Sequence, residues 1–446
     1  MSIKLYTVGG YSEVGKNMTL FDFGDDALVC DQGLYLPPIV EIEDSQRQGY
    51  AEKDLKRIKA IPDDDFLGDI KSRVRAILVS HAHLDHVGAI PYMGHNYDAE
   101  IVGTPYTIEI LKALTQDNNI KFSNKIRTVS PNSSFLTQGR KNYEVEFLNI
   151  THSTLQASLI VIHTEKGAIV YANDFKFDNT PILGKKPNYE RLKEIAKEGV
   201  LALVVDSLYS DTERKTPSEK IARGLLEDVL LTTNNSNACI ITTTFSSHIA
   251  RLKSIVDCAK QLDRKIIFLG RSLNRYVSAA DAVNLAPFMP DIQLLSYRNQ
   301  MERAIRKALK NREKYLFVVT GHQGEPGSIL DRFVKGALPF KFEPQDHVIF
   351  SSSIIPSPIN IENRKQLEKK LKEKGVRIFT DVHVSGHCGR EDLRDIIEML
   401  QPQHIIPAHG DLKKRAPLAE LAVEMGYKLG YNVHLLQNGQ KLVLDK

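Results

Sequence analysis

The chain has 446 residues, too many for one ordinary hydrophobic core, so its length predicts two domains. It is 42% hydrophobic and 26% charged, as globular proteins are, and its formal net charge of +4 does not by itself require a nucleic-acid partner. No apolar run approaches the ~18 residues that span a bilayer, and the N-terminus lacks the apolar core of a signal peptide. The sequence therefore predicts no membrane association and a cytoplasmic location.

The N-terminal segment alternates short apolar runs with Gly and Asp, a pattern that predicts strands over residues 1–35. The stretch GGYSEVGK has neither the GxGxxG nor the GxxxxGK[ST] spacing of nucleotide-binding loops. It therefore predicts a tight hairpin between the first two strands and no nucleotide cofactor. Residues 41–73 are polar and of mixed charge, which predicts a surface loop with a short helix.

Five short apolar runs rich in β-branched residues end at or next to a His or an Asp. The runs are VRAILVS, VEFLNI, AIVYAN, LALVV and HIIPA, and the residues concerned are His81, His152 (after Thr151), Asp174, Asp206 and His409. Side chains at the ends of neighbouring strands can converge on one edge of a sheet. The pattern predicts one site assembled from distant parts of the chain.

The middle of the chain has a different pattern. Strand-like and helix-like segments alternate from residue 208 to 383, which predicts an α/β domain with a largely parallel sheet. The sequence TPSE predicts a capping box, with Thr216 as N-cap, at the start of a helix over 217–232. Residues 298–314 hold seven Lys or Arg against two Glu, typical of a solvated helix face.

The His-bearing strand ends resume in the last part of the chain. The sequence therefore predicts a discontinuous first domain, residues 1–207 and 384–446, with a second domain, residues 208–383, inserted into it. The four cysteines, at positions 30, 239, 258 and 388, form no CxxC pair. They predict neither disulfides nor a thiolate zinc site, and they suit a reducing compartment.

The segment HAHLDH concentrates metal-binding side chains, since it contains His81, His83, Asp85 and His86. Imidazole and carboxylate ligands without thiolates suit zinc or manganese. Together with His152, Asp174 and His409, these residues make seven candidate ligands. Seven ligands are too many for one tetrahedral ion, but they suit two ions that share a carboxylate and clamp a phosphodiester between them.

HAHLDH matches the HxHxDH signature of the metallo-β-lactamase fold, and CDQG, ITHST and NDFK follow that family's order. The middle of the chain resembles the β-CASP nucleases, and within them the ribonuclease J group. The matching stretches are GGYSEVGKNM, IPDDDFL, TFSSHIARL, GRSL, TGHQGEP, HVSGH and PAHGD. The resemblance covers nearly the whole chain and implies an α/β fold, in which a metallo-β-lactamase αββα sandwich carries an inserted α/β β-CASP domain.

The resemblance assigns roles to individual residues. The ligands it implies for a first divalent ion are His81, His83 and His152. Those it implies for a second are Asp85, His86 and His409, and Asp174 would bridge the two ions. Zinc is the first expectation for both ions and manganese is the alternative. Asp31 would orient ligands rather than bind an ion.

The resemblance also implies how RNA is bound and cut. His387, oriented and kept protonated by Asp206, would give a proton to the leaving 3′ oxygen, and a histidine at this position goes with RNA rather than DNA substrates. The residues implied for a phosphate-binding turn are His383, Ser385, Gly386 and His387. Those implied for an RNA channel are Ser247, Arg271, His322 and Gln323.

The activity that the resemblance implies is processive 5′-to-3′ hydrolysis of 5′-monophosphorylated, single-stranded RNA, in RNA decay or maturation. The chain length is similar to that of archaeal members, and a homodimer is expected. The polar stretch 41–60 would contact RNA or a partner. Two alternatives stay open, namely an endonuclease or dual enzyme that uses the same centre, and an RNA-binding protein with an inactive site.

Overall fold

The computed structural model describes residues 2–40, 50–120, 123–355 and 357–444. The chain divides into two compact units. The first comprises Met1–Asn179, Gly184–Thr216 and Gly386–Lys446, and the second comprises Thr180–Leu183 and Pro217–Ser385. The boundaries expected after residues 207 and 383 stay a prediction. Of the stretch 41–60, residues 41–49 lie outside the described residues. Within the described ranges, no helix is both long and apolar enough to cross a membrane.

The first part of the first unit contains most of its strands. These are β1 (Ile3–Gly9), β2 (Met18–Asp22), β3 (Ala27–Cys30), β4 (Val74–Val79), β5 (Glu100–Gly103), β6 (Ile126–Thr128), β7 (Ser133–Leu136), β8 (Glu144–Asn149), β9 (Ser158–Ile162), β10 (Ala168–Ala172) and β11 (Val200–Asp206). The α-helices are α1 (Pro37–Val40), α2 (Glu52–Arg57), α3 (Leu84–Val87), α4 (Ile90–Met93), α5 (Pro105–Asp117) and α6 (Tyr189–Glu198). Short 3₁₀-helices cover Asp65–Arg73 and Gly94–Asn96.

The second unit alternates helices and strands. Its helices are α7 (Glu219–Thr232), α8 (Ile249–Gln261), α9 (Arg271–Ala282), α10 (Arg298–Ala308), α11 (Ile329–Val334) and α12 (Pro358–Glu373), with 3₁₀-helices at Met289–Asp291 and Leu309–Lys314. Its strands are β12 (Ile240–Thr243), β13 (Lys265–Leu269), β14 (Ile292–Leu295), β15 (Tyr315–Val319), β16 (His347–Phe350) and β17 (Arg377–Phe379). The chain then returns to the first unit with α13 (Arg390–Leu400), β18 (His404–Ala408), α14 (Leu412–Glu424) and β19 (Gln440–Leu444).

Two β-sheets form the middle of the first unit. One has the strand order β19-β1-β2-β3-β4-β5-β6, and the other has the order β18-β11-β10-β9-β8-β7. In the second sheet, β11 pairs in parallel with both β10 and β18, so that Asp206 lies beside Ala408. Strand ends that are far apart in the sequence therefore meet at one edge of this sheet.

The two sheets enclose a shared apolar core, with Leu5 and Phe21 from one sheet against Phe147 and Val204 from the other. The outer face of the second sheet packs against the buried sides of α6, α13 and α14, and α5 packs beside β5 and β6. Burial of each such side chain stabilises the fold by about 1.5–3 kcal/mol, so the two faces of the second sheet form a rigid base. The αββα sandwich expected from the sequence is confirmed.

The second unit contains one sheet with the order β14-β13-β15-β12-β16-β17. Every pairing among these described strands is parallel. The α/β alternation in the sequence predicted this arrangement, because parallel neighbours need a crossover and helices supply it. The carboxyl ends of the strands lie along one edge, which is where open parallel sheets bind their ligands.

Two local predictions were wrong. Helix α7 begins at Glu219, and its N-cap is Ser218, whose Oγ accepts a hydrogen bond from the Lys220 amide at 3.1 Å. Thr216 caps nothing and instead donates from Oγ1 to the backbone oxygen of His387 at 2.7 Å. The connection between β1 and β2 is not a tight hairpin but the loop 10–17, which brings Asn17 beside the histidine cluster.

Candidate metal centre

The predicted ligands come from the ends of strands in both sheets of the first unit. His81 follows β4, His152 follows β8, Asp174 follows β10 and His409 follows β18. The short helix α3 carries Asp85 and His86, with His83 as its N-cap. Buried strands hold these ends in place, so the side chains meet on a fixed support.

Three residues at these strand ends adopt left-handed backbone conformations. Asp31, Asp174 and His409 have φ angles of 61°, 62° and 60°. This region costs a residue with a side chain roughly 1–3 kcal/mol, and such strain persists where the surroundings fix it, most often at functional sites. The three turns aim their side chains back towards the same volume.

A first group of ligand atoms converges between the sheets. His83 Nδ1 lies 3.2 Å from His81 Nε2 and 3.0 Å from His152 Nε2. Asp174 Oδ2 lies 3.6 Å from the same His81 nitrogen and 3.7 Å from that of His152. These four side chains together satisfy the geometry of a metal-binding group.

Neighbouring groups fix which nitrogens face inwards. His152 Nδ1 donates to the carbonyl oxygen of Gly386 at 2.7 Å, which leaves the Nε2 lone pair free. Ser80 donates from Oγ to Asp31 at 2.8 Å, so this hydroxyl can accept a hydrogen bond from His81 Nδ1 at 3.0 Å. Metal-binding histidines are oriented in this way by hydrogen bonds on their far side.

Gly386 can approach His152 so closely only because it has no side chain. A Cβ atom at this position would lie 2.6 Å from Ser153 Oγ and 2.9 Å from the Ser153 backbone nitrogen. Any larger residue would therefore displace the segment that carries His152.

A second group shares Asp174 with the first. His86 Nε2 lies 3.1 Å from Asp174 Oδ2 and 3.6 Å from Asp85 Oδ2. His409 reaches the other oxygen of Asp174 with Nδ1 at 3.6 Å, and its Nε2 lies 3.9 Å from Asp85 Oδ2. Asp31 accepts a hydrogen bond from His86 Nδ1 at 2.8 Å, which turns Nε2 towards the centre.

Asn17 belongs to this group, although sequence reasoning missed it. The side chain is buried, and its Nδ2 donates to the backbone oxygen of Asp85 at 3.0 Å. That contact fixes the orientation of the amide, so Oδ1 accepts a hydrogen bond from His409 Nδ1 at 3.0 Å. In the sequence, Asn17 stands out only as part of GGYSEVGKNM. The glycines of this stretch were considered as a nucleotide-binding loop, and its Asn was not considered as a support for a ligand.

The arrangement fits divalent cations. Asp174 Oδ1 is buried and accepts no hydrogen bond from the described residues. Ligand atoms around a tetrahedral zinc ion lie about 3.4 Å apart, given Zn–N and Zn–O distances near 2.1 Å, and the separations above are of that size. The donor set of nitrogen and oxygen is one that zinc accepts.

Burial keeps the first group of imidazoles neutral, which is the form that binds metal. Burial, with the neighbouring imidazoles, lowers the pKa of His81 and His152 well below the ordinary histidine value. Burial also lowers the pKa of His83 to about 4, against the opposing carboxylates of Asp85 and Asp174. Burial acts on His86 in the same direction, but Asp174, Asp85 and Asp31 outweigh it and raise the pKa well above the usual value.

His387 lies next to both groups. Its ring stacks on that of His409 with centroids 5.5 Å apart, and it meets the His152 ring edge-on at 4.9 Å. Nδ1 lies 2.8 Å from Asp206 Oδ2, and this buried carboxylate also accepts from the Leu208 amide at 2.8 Å. Burial lowers the pKa of His387, but Asp206 and then Asp174 raise it to about 9.

The residues expected to contact RNA are divided between the two units. Gly386 and His387 belong to the first unit, whereas Ser247, Arg271, His322, Gln323, His383 and Ser385 belong to the second. The Arg271 side chain is exposed. The Gln323 side chain is buried, with its amide bonded to the Ser353 oxygen at 2.9 Å and the Ile355 nitrogen at 2.8 Å. His322 packs against Phe245, with ring centroids 4.3 Å apart.

An αββα sandwich with a buried His/Asp cluster at its strand ends, and an α/β unit inserted into it, defines the chain as a hydrolase of the metallo-β-lactamase fold. Three family models match in turn along the chain. The Metallo-beta-lactamase superfamily matches residues 14–215, Ribonuclease J, beta-CASP domain, matches residues 237–368, and the Zn-dependent metallo-hydrolase RNA specificity domain matches residues 366–436.

Relatives extend the likeness to the whole chain. Ribonuclease J of Methanocaldococcus jannaschii is 42% identical and covers 100% of both chains. Ribonuclease J of Pyrococcus abyssi is 43% identical over 98% of this chain and 96% of its own. Ribonuclease J 1 of Streptococcus pyogenes is 29% identical over 99% of this chain and 74% of its own.

The chain belongs to the ribonuclease J family, the Zn-dependent, RNA-specific hydrolases of the β-CASP type. Its resemblance to that group, its fold class and its class of activity are therefore confirmed. A crystal structure of a protein of unknown function from Enterococcus faecalis V583 has a TM-score of 0.65 and 16% identity, and covers 100% of both chains. That likeness concerns the fold alone.

Proposed function

We propose that the protein is a two-zinc 5′-to-3′ exoribonuclease that acts processively on single-stranded RNA with a 5′ monophosphate, in RNA decay or maturation. The observation that carries the proposal is the position of Asp174, which both groups of ligands share. Its Oδ2 faces His81 and His152 of the first group and His86 of the second, and its Oδ1 faces His409 of the second. One group would be His81, His83 and His152, and the other Asp85, His86 and His409. Mn²⁺ is the alternative ion.

When bound, two such ions supply Lewis acidity and a nucleophile at neutral pH. The protein's own residues supply the positioning and the proton. Asp31 and Asn17 orient His86 and His409 through hydrogen bonds. His387, which Asp206 holds through Nδ1, would give a proton from Nε2 to the leaving 3′ oxygen. This step leaves a free 3′ hydroxyl on the released nucleotide, which keeps the 5′ phosphate it already carried, and a new 5′ phosphate on the shortened RNA.

The 5′-to-3′ direction rests on the motif HVSGH. We propose that His383, Ser385 and Gly386 seat a phosphate of the bound nucleotide, and that Ser247, Arg271, His322 and Gln323 contact phosphate and sugar rather than bases. Contacts of this type would accept any sequence, as an enzyme that degrades RNA processively requires.

RNA labelled at its 5′ end tests the proposal. We expect the labelled mononucleotide to appear at the earliest times, with slower release from the same RNA carrying a 5′ hydroxyl. Labelled oligomers that precede the mononucleotide would instead establish an endonuclease. Native protein without bound metal and without turnover would identify an RNA-binding protein with an inactive site.

We also propose a cytoplasmic homodimer. The four cysteines are buried and unpaired, as in proteins of reducing compartments. Exposed apolar side chains in the C-terminal part of the first unit, among them Leu412, Leu429 and Tyr431, offer a contact surface for a second copy. Sedimentation equilibrium would decide between a monomer and a dimer.

A further inference from the structure

The second unit carries a group of arginines around an exposed tyrosine at one end of its sheet. Strands β13 and β14 pair in parallel, with Leu269 opposite Leu295, so the chain leaves both strands at the same edge. Arg271 begins the helix after β13, and Tyr297 and Arg298 follow β14. The two segments stay together because the Gly270 amide donates to the Leu295 oxygen at 3.1 Å.

Helix α11 adds a third arginine to this end of the sheet. A Cβ atom on Gly270 would lie 3.7 Å from Ile329 Cγ1 and 2.8 Å from Thr320 Cγ2, so α11 starts directly beside the turn that precedes Arg271. Arg332 is the fourth of the six residues of this helix and lies in its last turn. Arg271, Tyr297, Arg298 and Arg332 are called the arginine–tyrosine surface below.

The charges of this surface are not balanced. Glu302 is the acidic group beside it, and it already bonds Arg298 at 2.8 Å and Arg306 at 3.3 Å. Among the described residues, no carboxylate forms an ion pair with Arg271 or Arg332. Burial, then Arg298 and more weakly Arg271, lower the pKa of the Arg332 guanidinium, with Glu302 opposing them, which agrees with the placement of these residues at one end of the sheet. A bound anion would balance these charges.

The tyrosine narrows the class of anion. Tyr297 is 73% exposed and follows β14, whose last residue, Leu295, is buried. A lone exposed aromatic side chain needs no explanation, but one surrounded by unbalanced arginines matches the way single-stranded nucleic acids are bound. In that mode guanidiniums contact phosphates and the ring stacks on a base, without reading its identity.

We propose that the arginine–tyrosine surface extends the proposed RNA channel beyond Arg271, so that Tyr297 stacks on a base of the single strand and Arg298 and Arg332, together with Arg271, contact its phosphates. The inference rests on the proposed function for the identity of the strand. The site accepts single-stranded rather than paired RNA, because a base inside a duplex offers no free face to Tyr297.

Fluorescence anisotropy with the metal-loaded protein tests this inference. The probe is a fluorescein-labelled 20-mer of 2′-O-methyl oligouridine, recovered intact after each titration. We expect Tyr297→Ala to weaken binding about 5- to 100-fold and Tyr297→Phe, which keeps the ring, to bind within twofold of the wild type. Arg332→Gln should lower the slope of log affinity against log salt by about 0.7, as expected for one lost phosphate contact.

The matched control for the arginines comes from the first unit, where the Arg140 side chain is 75% exposed. Arg140→Gln should leave affinity and salt slope unchanged, and Tyr297→Phe is the control for loss of the ring. The inference is overturned if Tyr297→Ala binds as tightly as the wild type, or if Tyr297→Phe loses as much affinity as Tyr297→Ala. It is equally overturned if only the arginine variants lose affinity, since the surface would then bind polyanions in general, including acidic proteins.

The direction of hydrolysis is measured separately, with RNA labelled at its 5′ end. If the wild type releases labelled oligomers first while Tyr297→Ala still weakens binding, the proposed exonuclease fails and RNA binding by the arginine–tyrosine surface stands. If the wild type releases mononucleotide and Tyr297→Ala binds normally, only RNA binding by the arginine–tyrosine surface fails.

Discussion

Each unit of the protein buries a cluster of charged side chains, and the two clusters differ in whether they are complete. In the second unit, the fully buried Arg251 forms a two-point ion pair with Glu219, at 2.5 and 2.9 Å. Its remaining guanidinium nitrogen donates to the backbone oxygen and the hydroxyl of Ser351 at 2.9 and 2.8 Å. Charge and hydrogen bonds are satisfied within the protein.

In the cluster around Asp174 in the first unit, the side chains do not satisfy one another's hydrogen bonds. Imidazole nitrogens face one another at 3.0 and 3.2 Å, and one buried carboxylate oxygen accepts no hydrogen bond from the described residues. A buried polar group without a partner costs free energy that a bound cation would recover. The difference indicates that the Arg251–Glu219 cluster stabilises the fold, whereas the cluster around Asp174 binds a ligand. Variants of each cluster test this.

The largest effect is expected from Asp174→Asn, which keeps the size of the side chain and removes the charge that both ligand groups share. Metal affinity should fall by more than the roughly 10- to 100-fold typical of losing a residue that only supports a ligand, and hydrolysis should become undetectable. Metal content by mass spectrometry and RNA turnover measure this. Glu219→Gln is the matched control and should keep its metal. If the Asp174→Asn protein still bound two metal ions per chain, Asp174 would not be needed for metal binding, and the proposed difference between the two clusters would be wrong.

His387→Ala should keep both metal ions and lose about 10²- to 10⁴-fold in turnover, because the proton donor is lost while the ligands remain. Single-turnover rates with metal content on the same sample measure this. His95→Ala is the control, since the His95 side chain is 55% exposed and lies outside the cluster. Turnover at the wild-type rate would exclude the proton-transfer role.

Glu219→Gln should reduce stability rather than chemistry. Removing one partner of a buried ion pair leaves the Arg251 charge uncompensated and costs about 3–5 kcal/mol. Thermal unfolding should show a lower midpoint, whereas bound metal stays the same. The double variant Glu219→Gln/Arg251→Met should regain part of the loss, because no buried charge is left unpaired. An unchanged midpoint in the single variant would show that the pair contributes nothing net.

The same pair predicts a dependence of stability on pH. Burial raises the pKa of Glu219, but His248 and Arg251 outweigh it and hold the pKa well below the usual glutamate value. The ionised Glu219 therefore stabilises the fold above the pKa of an unfolded glutamate, and this contribution is lost as the pH falls towards the folded value. The difference in midpoint between wild type and Glu219→Gln should narrow from pH 7 to below pH 4. A constant difference would contradict this.

The smallest effect is expected from Asn17→Ala. Loss of the hydrogen bond to His409 should lower metal affinity about 10- to 100-fold without abolishing binding. Asn17→Ser, which retains an acceptor on a shorter side chain, should recover part of the affinity in a chelator competition assay. Equal affinity in Asn17→Ala and wild type would show that His409 does not depend on this contact.

The sequence by itself was sufficient for the fold class, the class of enzyme and the set of candidate ligands. The fold class and the class of enzyme are what the resemblance of its motifs to a known family implies. The candidate ligands follow from local patterns, since apolar runs form strands, their ends place His or Asp at a sheet edge, and HAHLDH concentrates ligands within six residues. The assignment of individual ligands to two ions, and of His387 to proton transfer, stays a prediction until metal and turnover are measured.

The tertiary structure decided which distant residues complete the site. Asn17 and His409 are 392 positions apart, and Thr216 reaches the His387 backbone across 171. No local pattern encodes such contacts, because they depend on how β11 pairs with β18 and on where the loop 10–17 returns. Glu219 is a further example. Its local sequence predicted a helix-capping role, whereas the tertiary structure pairs it with Arg251. Local chemistry therefore determined what the site is made of, and strand pairing determined which side chains hold it in place.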